Sequence, residues 1–362
     1  MKFFSNKVTS KLNKNSLKYL LLISTDQAYN FNKLYHRSPL EITVYRIQNG
    51  LKDGQTIVYH HDWTVHYEID YRNNSVHGFL KEYYSNGVIS FEVEVFDNHL
   101  HGIFRTYFPS RKVRITANFW NHKLHGEFKS YYQSGQIQSQ VNIEYDHKDG
   151  FETTYWMTGD LKSQSLFKNG VKNGREIFWY NDQQASKILY WKNGLKEGLY
   201  QEWYCHGQIK VVTHYYCDKL EGSYNEWWEN GQLAKKCHYI DDLLTDNLTA
   251  YDQEGNLIMS EYYYQGLLDG VSYQLFHGSN QKKELANMNI EDDALIEISQ
   301  PYLMGELHGI TQIKVNGIIR RTIFYLEGLK NGSQTDFNID GSKLRTIYYV
   351  NGSSKLVLEE RD

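Results

Sequence analysis

Three histidines recur at one spacing and could bind a metal ion. His77, His101 and His125 lie 24 residues apart, and each directly precedes a glycine. Imidazole nitrogens are common zinc ligands, with bonds of about 2 Å. If 24 residues correspond to one β-hairpin, equivalent residues lie two strands apart, or roughly 9–10 Å at ~4.8 Å per strand. Neighbouring members of the column could then not share an ion unaided, and the spacing favours turn histidines over a metal site.

A column of aromatic residues could instead bind a ligand by stacking. Aromatic rings spaced along a polar face stack on bases, sugars or peptide side chains. The alternative is that they pack against neighbouring repeats. This aromatic stripe is the candidate binding site, and it comprises Tyr83, Tyr107, Tyr131, Tyr155, Trp179, Trp203 and Trp227.

Both columns belong to an internal repeat of 24 residues, which is a period typical of solenoids and arrays. The repeat is marked by glycines, and only Asp246 interrupts their column. Such a glycine indicates a backbone with positive φ or too little room for a Cβ. About ten units run from Tyr45 to Gly278. The repeat glycines are Gly54, Gly78, Gly102, Gly126, Gly150, Gly174, Gly198, Gly222 and Gly270.

Each unit reads as two antiparallel strands. Segments of five to eight residues rich in Tyr, Trp, Phe, Val and Ile are bounded by turns such as Asn193-Gly194 and Asn230-Gly231. A short loop of four residues predicts that positions 60 and 65 pair. Alternation then places positions 56, 58, 60, 65, 67, 69 and 71 on one packed face, including an aliphatic column that begins at Val65. The aromatic stripe falls on the opposite face, among polar residues.

The pattern in HGIFRTYFPSRKVRITANFWN and EGSYNEWWENGQLAKKCHYID resembles the variant form of the MORN repeat. The resemblance implies an all-β fold: an elongated single-layer antiparallel β-hairpin repeat array with a short N-terminal cap segment. It covers residues 45–278 well and 302–352 more loosely. A single glycine follows the longer loop, as at Gly126, where the better-known MORN unit has two. Variant repeats of this kind occur in antitoxin-like bacterial proteins and in proteins of large DNA viruses, which implies an interaction or scaffold module.

The resemblance divides the chain into four parts. Residues 1–44 contain Lys2, Lys7, Lys11, Lys14 and Lys18 before the first acid, and we interpret them as a cap on the first sheet edge or as a targeting segment. Residues 45–278 hold ten 24-residue hairpin repeats. Residues 279–301 form a polar insertion, and residues 302–362 form two degenerate repeats and a C-terminal tail.

Composition and motifs reduce the number of functional classes that the protein could belong to. The net charge of −4 argues against nucleic acid as a partner. The sequence has no apolar run long enough for a transmembrane helix. Cys205, Cys217 and Cys237 lack zinc-site spacing, which favours reduced thiols in the cytoplasm. No Ser-His-Asp or Cys-His constellation can be placed, and carboxylates form no paired column, so we expect neither an enzyme nor a cofactor.

Two functional hypotheses remain. The first is a non-catalytic interaction scaffold or partner-neutralising binder in the cytoplasm, with an unidentified protein partner. The alternative is a peripheral membrane tether that binds anionic lipid through the basic N-terminus and the repeat array. Liposome flotation with and without residues 1–25 would separate them.

Overall fold

The computed structural model describes residues 41–60, 62–180, 183–277, 285, 288, 290, 291 and 293–359. The predicted N-terminal segment 1–44 lies outside these residues except for its last four positions. Among the described residues no helix is long and apolar enough to cross a membrane. The secondary structure is strands joined by turns, and every strand pair with a defined register is antiparallel. The predicted all-β hairpin array is confirmed.

Contacts divide the chain into two units, described separately below. Within the described residues, unit 1 comprises 41–185 and 191–194, and unit 2 comprises 186–190 and 195–359.

Unit 1 holds the first fourteen strands: β1 (Glu41–Gln48), β2 (Leu51–His60), β3 (Val65–Arg72), β4 (Ser75–Tyr83), β5 (Ile89–Phe96), β6 (His99–Tyr107), β7 (Val113–Trp120), β8 (Lys123–Leu124), β9 (Gly126–Tyr131), β10 (Ile137–Glu144), β11 (His147–Lys148), β12 (Gly150–Tyr155), β13 (Leu161–Lys168) and β14 (Val171–Trp179). Strand β15 (Ala185–Lys192) contributes residues to both units.

Unit 2 holds the remaining strands: β16 (Leu195–Lys196), β17 (Gly198–Trp203), β18 (Ile209–Tyr216), β19 (Lys219–Leu220), β20 (Gly222–Trp227), β21 (Leu233–Ile240), β22 (Leu243–Tyr251), β23 (Leu257–Tyr264), β24 (Leu267–Leu268), β25 (Gly270–His277), β26 (Leu295–Leu303), β27 (Glu306–Leu307), β28 (Gly309–Val315), β29 (Ile318–Leu326), β30 (Leu329–Phe337), β31 (Lys343–Val350) and β32 (Ser353–Glu359). Strand β26 begins inside the predicted polar insertion 279–301, so the last residues of that insertion are part of a strand.

The four-residue turns differ from the predicted register. Tyr59, not His60, pairs with Val65, and the ladder shifts at this point by one residue. The backbone N–H of His60 closes the turn by donating to the carbonyl of Thr64, at 2.8 Å. Directly opposite residues share a face of a sheet. The aliphatic column that begins at Val65 therefore lies opposite the aromatic stripe across each hairpin, and its placement on the packed face was wrong.

The rest of the packed face is as predicted in unit 1. Its members form one buried cluster of aliphatic and aromatic side chains that ends at Ile143. Phe91, Phe104 and Leu100 are each at most 2% exposed. We use "packed face" for this side of the hairpins and "open face" for the other. The cluster contains Val58, Tyr67, Ile69, Tyr71, Val76, Leu80, Phe91, Val93, Val95, Leu100, Phe104, Ile115, Ala117, Phe119, Leu124, Phe128, Val141 and Ile143.

The repeat glycines all adopt positive φ, between 84° and 122°. Asp246, which interrupts their column, also has positive φ, at 60°. A Cβ at Gly174 would in addition lie 2.8 Å from Cδ2 of Leu166, whereas a Cβ at Gly126 would meet nothing closer than 3.8 Å. Positive φ is thus the requirement common to the column, and lack of room is added only at some positions.

Candidate interaction surfaces

The aromatic stripe lies on the open face, and each of its seven side chains is half-buried. Beside it in unit 1 runs a row of charged residues that alternate in sign across the strands. Glu68 pairs with Lys81, Lys81 with Glu92, and Glu92 with Arg105. Arg105 Nη1 lies 3.0 Å from Glu92 Oε1. Alternating charge on neighbouring strands stabilises this pairing and keeps the face polar.

The tyrosine hydroxyls of the stripe are anchored to this row. Tyr107 Oη donates to Glu92 Oε1 at 2.6 Å, fifteen residues earlier. Gln140 Nε2 donates to Tyr155 Oη at 2.9 Å, again fifteen residues apart. Burial, the hydrogen bond to Glu92 and the charge of that residue raise the pKa of Tyr107 to about 12. The polar ends of these tyrosines are thus used within the sheet, which leaves the ring faces as the part that could contact a ligand.

A second aromatic column bonds successive repeats together along the edge formed by the four-residue turns. Tyr84 Oη donates to the carbonyl of Tyr107 at 2.8 Å, and Tyr132 Oη donates to that of Tyr155 at 2.8 Å. In unit 2, Trp228 Nε1 makes the equivalent bond at 2.9 Å. We call this the aromatic edge. The sequence marks it as a column of Tyr and Trp, but its hydrogen bonds were not predicted.

The other edge is formed by two-residue turns, which we call the Asx edge. Both turn residues have positive φ, as at Asp97 and Asn98, in the conformation that suits tight hairpins. Asn98 N donates to the carbonyl of Val76 at 2.9 Å, and Val76 N donates to Asn98 Oδ1 at 2.8 Å. Asp242 makes the same pair of bonds with Leu220 in unit 2. The second turn residue therefore fastens each turn to the preceding one.

The histidine column lies next to the Asx edge of unit 1, and each of its rings packs against an aromatic ring. The ring centroids of His77 and Phe96 are 4.8 Å apart, and those of His101 and Trp120 are 4.6 Å apart. His125 lies 4.9 Å from Tyr145 in the same way. No group of three or more His, Cys, Asp or Glu side chains is arranged to hold a metal ion within the described part of the chain.

The packed face changes character towards the end of unit 1 and in unit 2. Buried Glu176 accepts hydrogen bonds from Lys172 Nζ at 2.5 Å, Trp191 Nε1 at 2.7 Å and Ser165 Oγ at 2.6 Å. Hydrogen bonds from charged and neutral donors stabilise the Glu176 carboxylate in this buried position. This arrangement serves packing, because the oxygens of the carboxylate are already engaged.

Glu202 in unit 2 illustrates the same change. Burial raises the pKa of Glu202, but hydrogen bonds from Tyr200 and Lys210 and the charge of Lys187 outweigh it, so the pKa lies below its ordinary value. Tyr200 Oη donates to Glu202 Oε2 at 2.6 Å, and Lys210 Nζ lies 3.0 Å from Oε1. Both carboxylate oxygens of Glu202 are thus held by neighbouring side chains.

Unit 2 exposes large apolar side chains along the open face of its Asx edge. They form cross-strand pairs such as Ile240 with Leu243 and Tyr264 with Leu267. We call this set the apolar band, and its members are between 37% and 52% exposed. Sequence reasoning missed it because its two columns mix charged residues such as Lys123 and Glu144 with apolar ones in the earlier repeats. The apolar band comprises Ile240, Leu243, Tyr264, Leu267, Leu303, Leu326 and Leu329.

Contacts between successive turns join the apolar band from Leu243 to Gly305. Leu243 Cδ2 lies 3.1 Å from where a Cβ of Gly266 would stand, and Leu267 Cδ2 lies 3.4 Å from the corresponding point of Gly305. Each leucine thus covers the next two-residue turn. Exposed apolar patches of this kind, when rimmed by polar residues, mark interaction sites on soluble proteins.

The rim of the apolar band is acidic. Asp241 and Asp242 form the turn between Ile240 and Leu243, and the equivalent turns or strands carry Glu306 and Glu327. Lys219 is one counter-charge, and its Nζ lies 3.1 Å from Asp241 Oδ1. A partner with apolar anchors and basic flanking residues would complement this surface.

The MORN repeat variant family model matches residues 124–145 and 220–241. Each match spans one hairpin with its preceding Asx-edge residues, the first in unit 1 and the second in unit 2. These two repeats match the family model, and the resemblance noted in the sequence is confirmed there. MORN repeats are in general motifs for protein or membrane interaction, and the family is generally non-enzymatic.

No curated protein sequence matches the chain. Among solved structures, the crystal structure of TcdB2-TccC3 without its hypervariable C-terminal region aligns at 11% identity and a TM-score of 0.15, over 87% of this chain. That of TcdB2-TccC3-TEV aligns at 12% identity and a TM-score of 0.12, over 86%. The chain spans 22% of the length of each. TM-scores at this level do not indicate a shared fold.

Proposed function

We propose that this protein is a non-catalytic interaction scaffold that binds a protein partner through the apolar band of unit 2. The observation that supports the proposal is the continuity of exposed side chains such as Leu243, Tyr264 and Leu267 on one edge, with acidic residues around them. Large exposed anchors surrounded by polar residues are the usual centre of a protein interface. Binding that neutralises the partner is the more specific version, and we place the protein in the cytoplasm.

The aromatic stripe is the competing binding site. Its rings are half-buried, so fewer atoms are available for contact than in the apolar band. The stripe nevertheless stays a proposed site, because tryptophan and tyrosine are enriched among residues that dominate binding energy. The two surfaces can be tested against each other within unit 2, where Trp203 and Trp227 continue the stripe.

The test is affinity capture from cell extract with quantitative mass spectrometry, comparing three proteins of equal folded fraction. A Leu243→Ser and Leu267→Ser double variant should melt close to wild type, because exposed substitutions usually change stability by less than about 0.5 kcal/mol. We expect it to lose partners that wild type retains. The matched Trp203→Ala and Trp227→Ala variant should retain them. Loss only in the second variant would assign binding to the stripe and overturn the proposal for the apolar band.

A second candidate is peripheral binding to anionic lipid. It is supported by Phe96 and Trp120 on unit 1, which are 56% and 54% exposed at the Asx edge. Aromatic residues of this kind favour the membrane–water interface. In flotation with anionic vesicles, this hypothesis predicts binding by wild type, weaker binding without residues 1–25, and loss in a Phe96→Ser and Trp120→Ser variant. No flotation of wild type at low salt would reject it.

A further inference from the structure

The turn between β6 and β7 concentrates positive charge at one point of the aromatic edge. Arg111, Lys112 and Arg114 lie within four residues of each other, in a chain whose net charge is −4. The neighbouring turns along the same edge, residues 84–88 and 132–136, carry no charged side chain. The positive charge is therefore a property of this one repeat of unit 1 and not of the edge as a whole.

A cavity of about 360 Å³ opens beside this turn, where the packed face of unit 1 meets the aromatic edge. Phe108 and Tyr132 line it with aromatic rings, and Ile115 lines it with an aliphatic side chain. Arg114 and Gln133 are among the polar side chains at its wall. Concave sites of this volume, with aromatic walls and a few polar groups, are typical of small-ligand sites.

Phe108 distinguishes this repeat from its two neighbours. Tyr84 and Tyr132 occupy the equivalent positions, and each donates its hydroxyl to a backbone carbonyl 23 residues later. Phe108 has no hydroxyl, so it cannot make the equivalent bond to the carbonyl of Tyr131, a residue that lines the cavity. The cavity therefore lies at a repeat that lacks one of the bonds between hairpins.

The position of Arg114 is occupied in other repeats by a residue that donates to a carboxylate. Ser90 Oγ donates to Glu82 Oε2 at 2.7 Å. Lys210 Nζ donates to Glu202 Oε1 at 3.0 Å. In both cases the acceptor lies eight residues before the donor. The scaffold thus places a carboxylate next to this position in one repeat of each unit.

Arg114 lacks such a carboxylate. The residue eight positions earlier is Thr106, whose buried Oγ1 has no hydrogen-bond partner among the residues that the structure describes. Over the same described residues, Arg114 forms no ion pair. Its guanidinium lies 5.8 Å from the centroid of the Phe108 ring. A guanidinium over a ring still presents its N–H groups at the edge of its plane, where a carboxylate can accept two parallel hydrogen bonds.

We propose that this cavity binds a carboxylate carried on an aromatic group, with the carboxylate on Arg114 and the aromatic group between the rings of Phe108 and Tyr132. Offset or edge contacts between rings favour an aromatic ligand in such a space. Because a single guanidinium lines the cavity, a singly charged carboxylate matches it better than a phosphate dianion. The site is separate from the apolar band and does not depend on it.

Two positive side chains outside the cavity favour an anionic ligand over a neutral one. Lys112 extends towards the next turn, where its Nζ donates to the carbonyl of Ser134 at 2.7 Å. Arg111 is exposed in the turn itself. Clustered charge of one sign at the entrance of a concave site raises the local concentration of ligands of opposite charge. The ligand is either a free aromatic acid or the C-terminal residue of a peptide, since both carry this chemistry.

Ligand-observed NMR titration of the full chain tests the ligand class with three probes of similar shape. We expect benzoate to bind with a Kd on the order of 1 mM, and neutral benzyl alcohol to bind at least about tenfold more weakly. Phenyl phosphate should also bind more weakly than benzoate. Equal binding of benzyl alcohol, or tighter binding of phenyl phosphate, would overturn the assignment to a carboxylate.

A short acetylated peptide that ends in phenylalanine distinguishes the two sources of the carboxylate. Binding at least as tight as that of benzoate would assign the site to a peptide end, and weaker binding would assign it to a free acid. The same peptide with a C-terminal amide is the control and should not bind. Equal binding of the acid and the amide would contradict a role for the carboxylate.

Arg114→Gln tests the guanidinium, and the fold accepts glutamine at this position because Gln138 occupies it in the next repeat. Benzoate binding should fall by about tenfold or more. Arg105→Gln is the matched control, since it removes one positive charge from the open face of the same hairpin, and it should change the Kd by less than about twofold. Undiminished binding in Arg114→Gln, or an equal loss in both variants, would overturn the proposal.

Phe108→Tyr tests the cavity without removing any charge. The added hydroxyl should donate to the carbonyl of Tyr131, as the equivalent hydroxyls of Tyr84 and Tyr132 do in their repeats. We expect benzoate to bind several-fold more weakly, with a melting temperature no lower than that of wild type. Unchanged benzoate binding in a folded Phe108→Tyr variant would place the ligand outside this cavity and overturn the proposal.

Discussion

Equivalent positions five repeats apart carry opposite chemistry in the two units. On the packed face, Phe104 of unit 1 is 2% exposed within a continuous apolar cluster, whereas its counterpart Tyr224 in unit 2 is half-buried and donates to Glu226 Oε2 at 3.1 Å. The backbone register is the same in both, since Phe104 pairs with Ala117 and Tyr224 with Cys237. The hairpin scaffold therefore does not require one particular kind of core.

At equivalent positions of the Asx edge, unit 2 carries the more apolar residues. The cross-strand pair Trp120 and Lys123 of unit 1 corresponds to Ile240 and Leu243 of unit 2. In the next repeat, His147 is replaced by Leu267. Both units keep the turn-to-turn hydrogen bonds that hold the edge together, so side chains on the open face are free to change. At these equivalent positions, unit 1 buries an apolar ring on the packed face and carries Lys123 and His147 at the Asx edge, whereas unit 2 carries Leu243 and Leu267 at that edge.

The largest expected effect is the loss of stability when a ring of the packed face is truncated to alanine. Phe104→Ala removes a buried ring and should cost ~3–5 kcal/mol, whereas Tyr224→Ala removes a half-buried ring and should cost about half as much. Urea unfolding followed by circular dichroism measures both. Equal costs would show that the packed faces of the two units are energetically alike, and would contradict the comparison.

An ion cluster gives unit 2 a pH dependence. Asp336 accepts hydrogen bonds from Arg321 Nε at 2.5 Å and from Arg345 Nη2 at 2.9 Å. Burial raises the pKa of Asp336, but the hydrogen bonds and charges of the two arginines outweigh it, so the pKa lies below its ordinary value. Asp336→Asn leaves Arg321 buried without its ionised partner and should cost ~3 kcal/mol at neutral pH.

The sign of the pH effect follows from the lowered pKa. The stabilisation by Asp336 is present above the unfolded-state pKa of about 3.9 and is lost as the pH falls through the lower folded-state value. Wild type should therefore lose stability between about pH 5 and pH 2 more steeply than Asp336→Asn. Parallel pH profiles of the two proteins would contradict this assignment.

The repeat glycines should differ in cost according to their surroundings. Gly174→Val adds a clash with Leu166 to the strain of positive φ and should cost ~2–3 kcal/mol. Gly126→Val carries the same strain without the clash and should cost ~1–2 kcal/mol. Chemical unfolding of both variants measures the difference. A larger cost at Gly126 would mean that room for the Cβ is not the deciding factor.

The smallest expected effect concerns the turn-to-turn bonds. Asp242→Ala removes the acceptor of the Leu220 N–H, 2.6 Å away, and should cost ~1 kcal/mol. Asp241→Ala is the matched control, because its side chain makes an exposed ion pair with Lys219 that contributes little. Hydrogen exchange at the Leu220 amide should accelerate only in Asp242→Ala. Faster exchange in both variants would indicate general fraying of the turn.

Much of the fold could be predicted because the 24-residue period repeats the same pattern of turn glycines and alternating strands. The column of Tyr71, Val95, Phe119 and Ile143 was correctly placed on the packed face, and all four are buried. The aliphatic column was misplaced because a bulge just after the four-residue turn adds one residue between Val65 and Tyr67, which changes the face of position 65 and leaves the rest of the strand as predicted. Parity alone cannot reveal such a bulge.

Burial was the other feature that the sequence could not provide. Ile137, Phe167, Trp191 and Leu233 lie in columns that are almost never polar, yet each is half-buried. In a repeat array the depth of a residue depends on its neighbours in the adjacent repeats. Where those neighbours are Ser165 or Lys172, even a large ring stays partly open to solvent. The expected cost of truncation is correspondingly higher at Phe104 than at these positions.

Side-chain footprinting of the captured complex tests the central claim most directly, namely that the apolar band of unit 2 is the binding surface. Hydroxyl radicals oxidise exposed Tyr, Trp and Leu, and mass spectrometry locates each modification. We predict that the partner protects Leu243, Tyr264 and Leu267 while leaving oxidation of Trp203 and Trp227 unchanged. Protection of the two tryptophans, with undiminished oxidation of Tyr264 and Leu267, would contradict the account and place binding on the aromatic stripe.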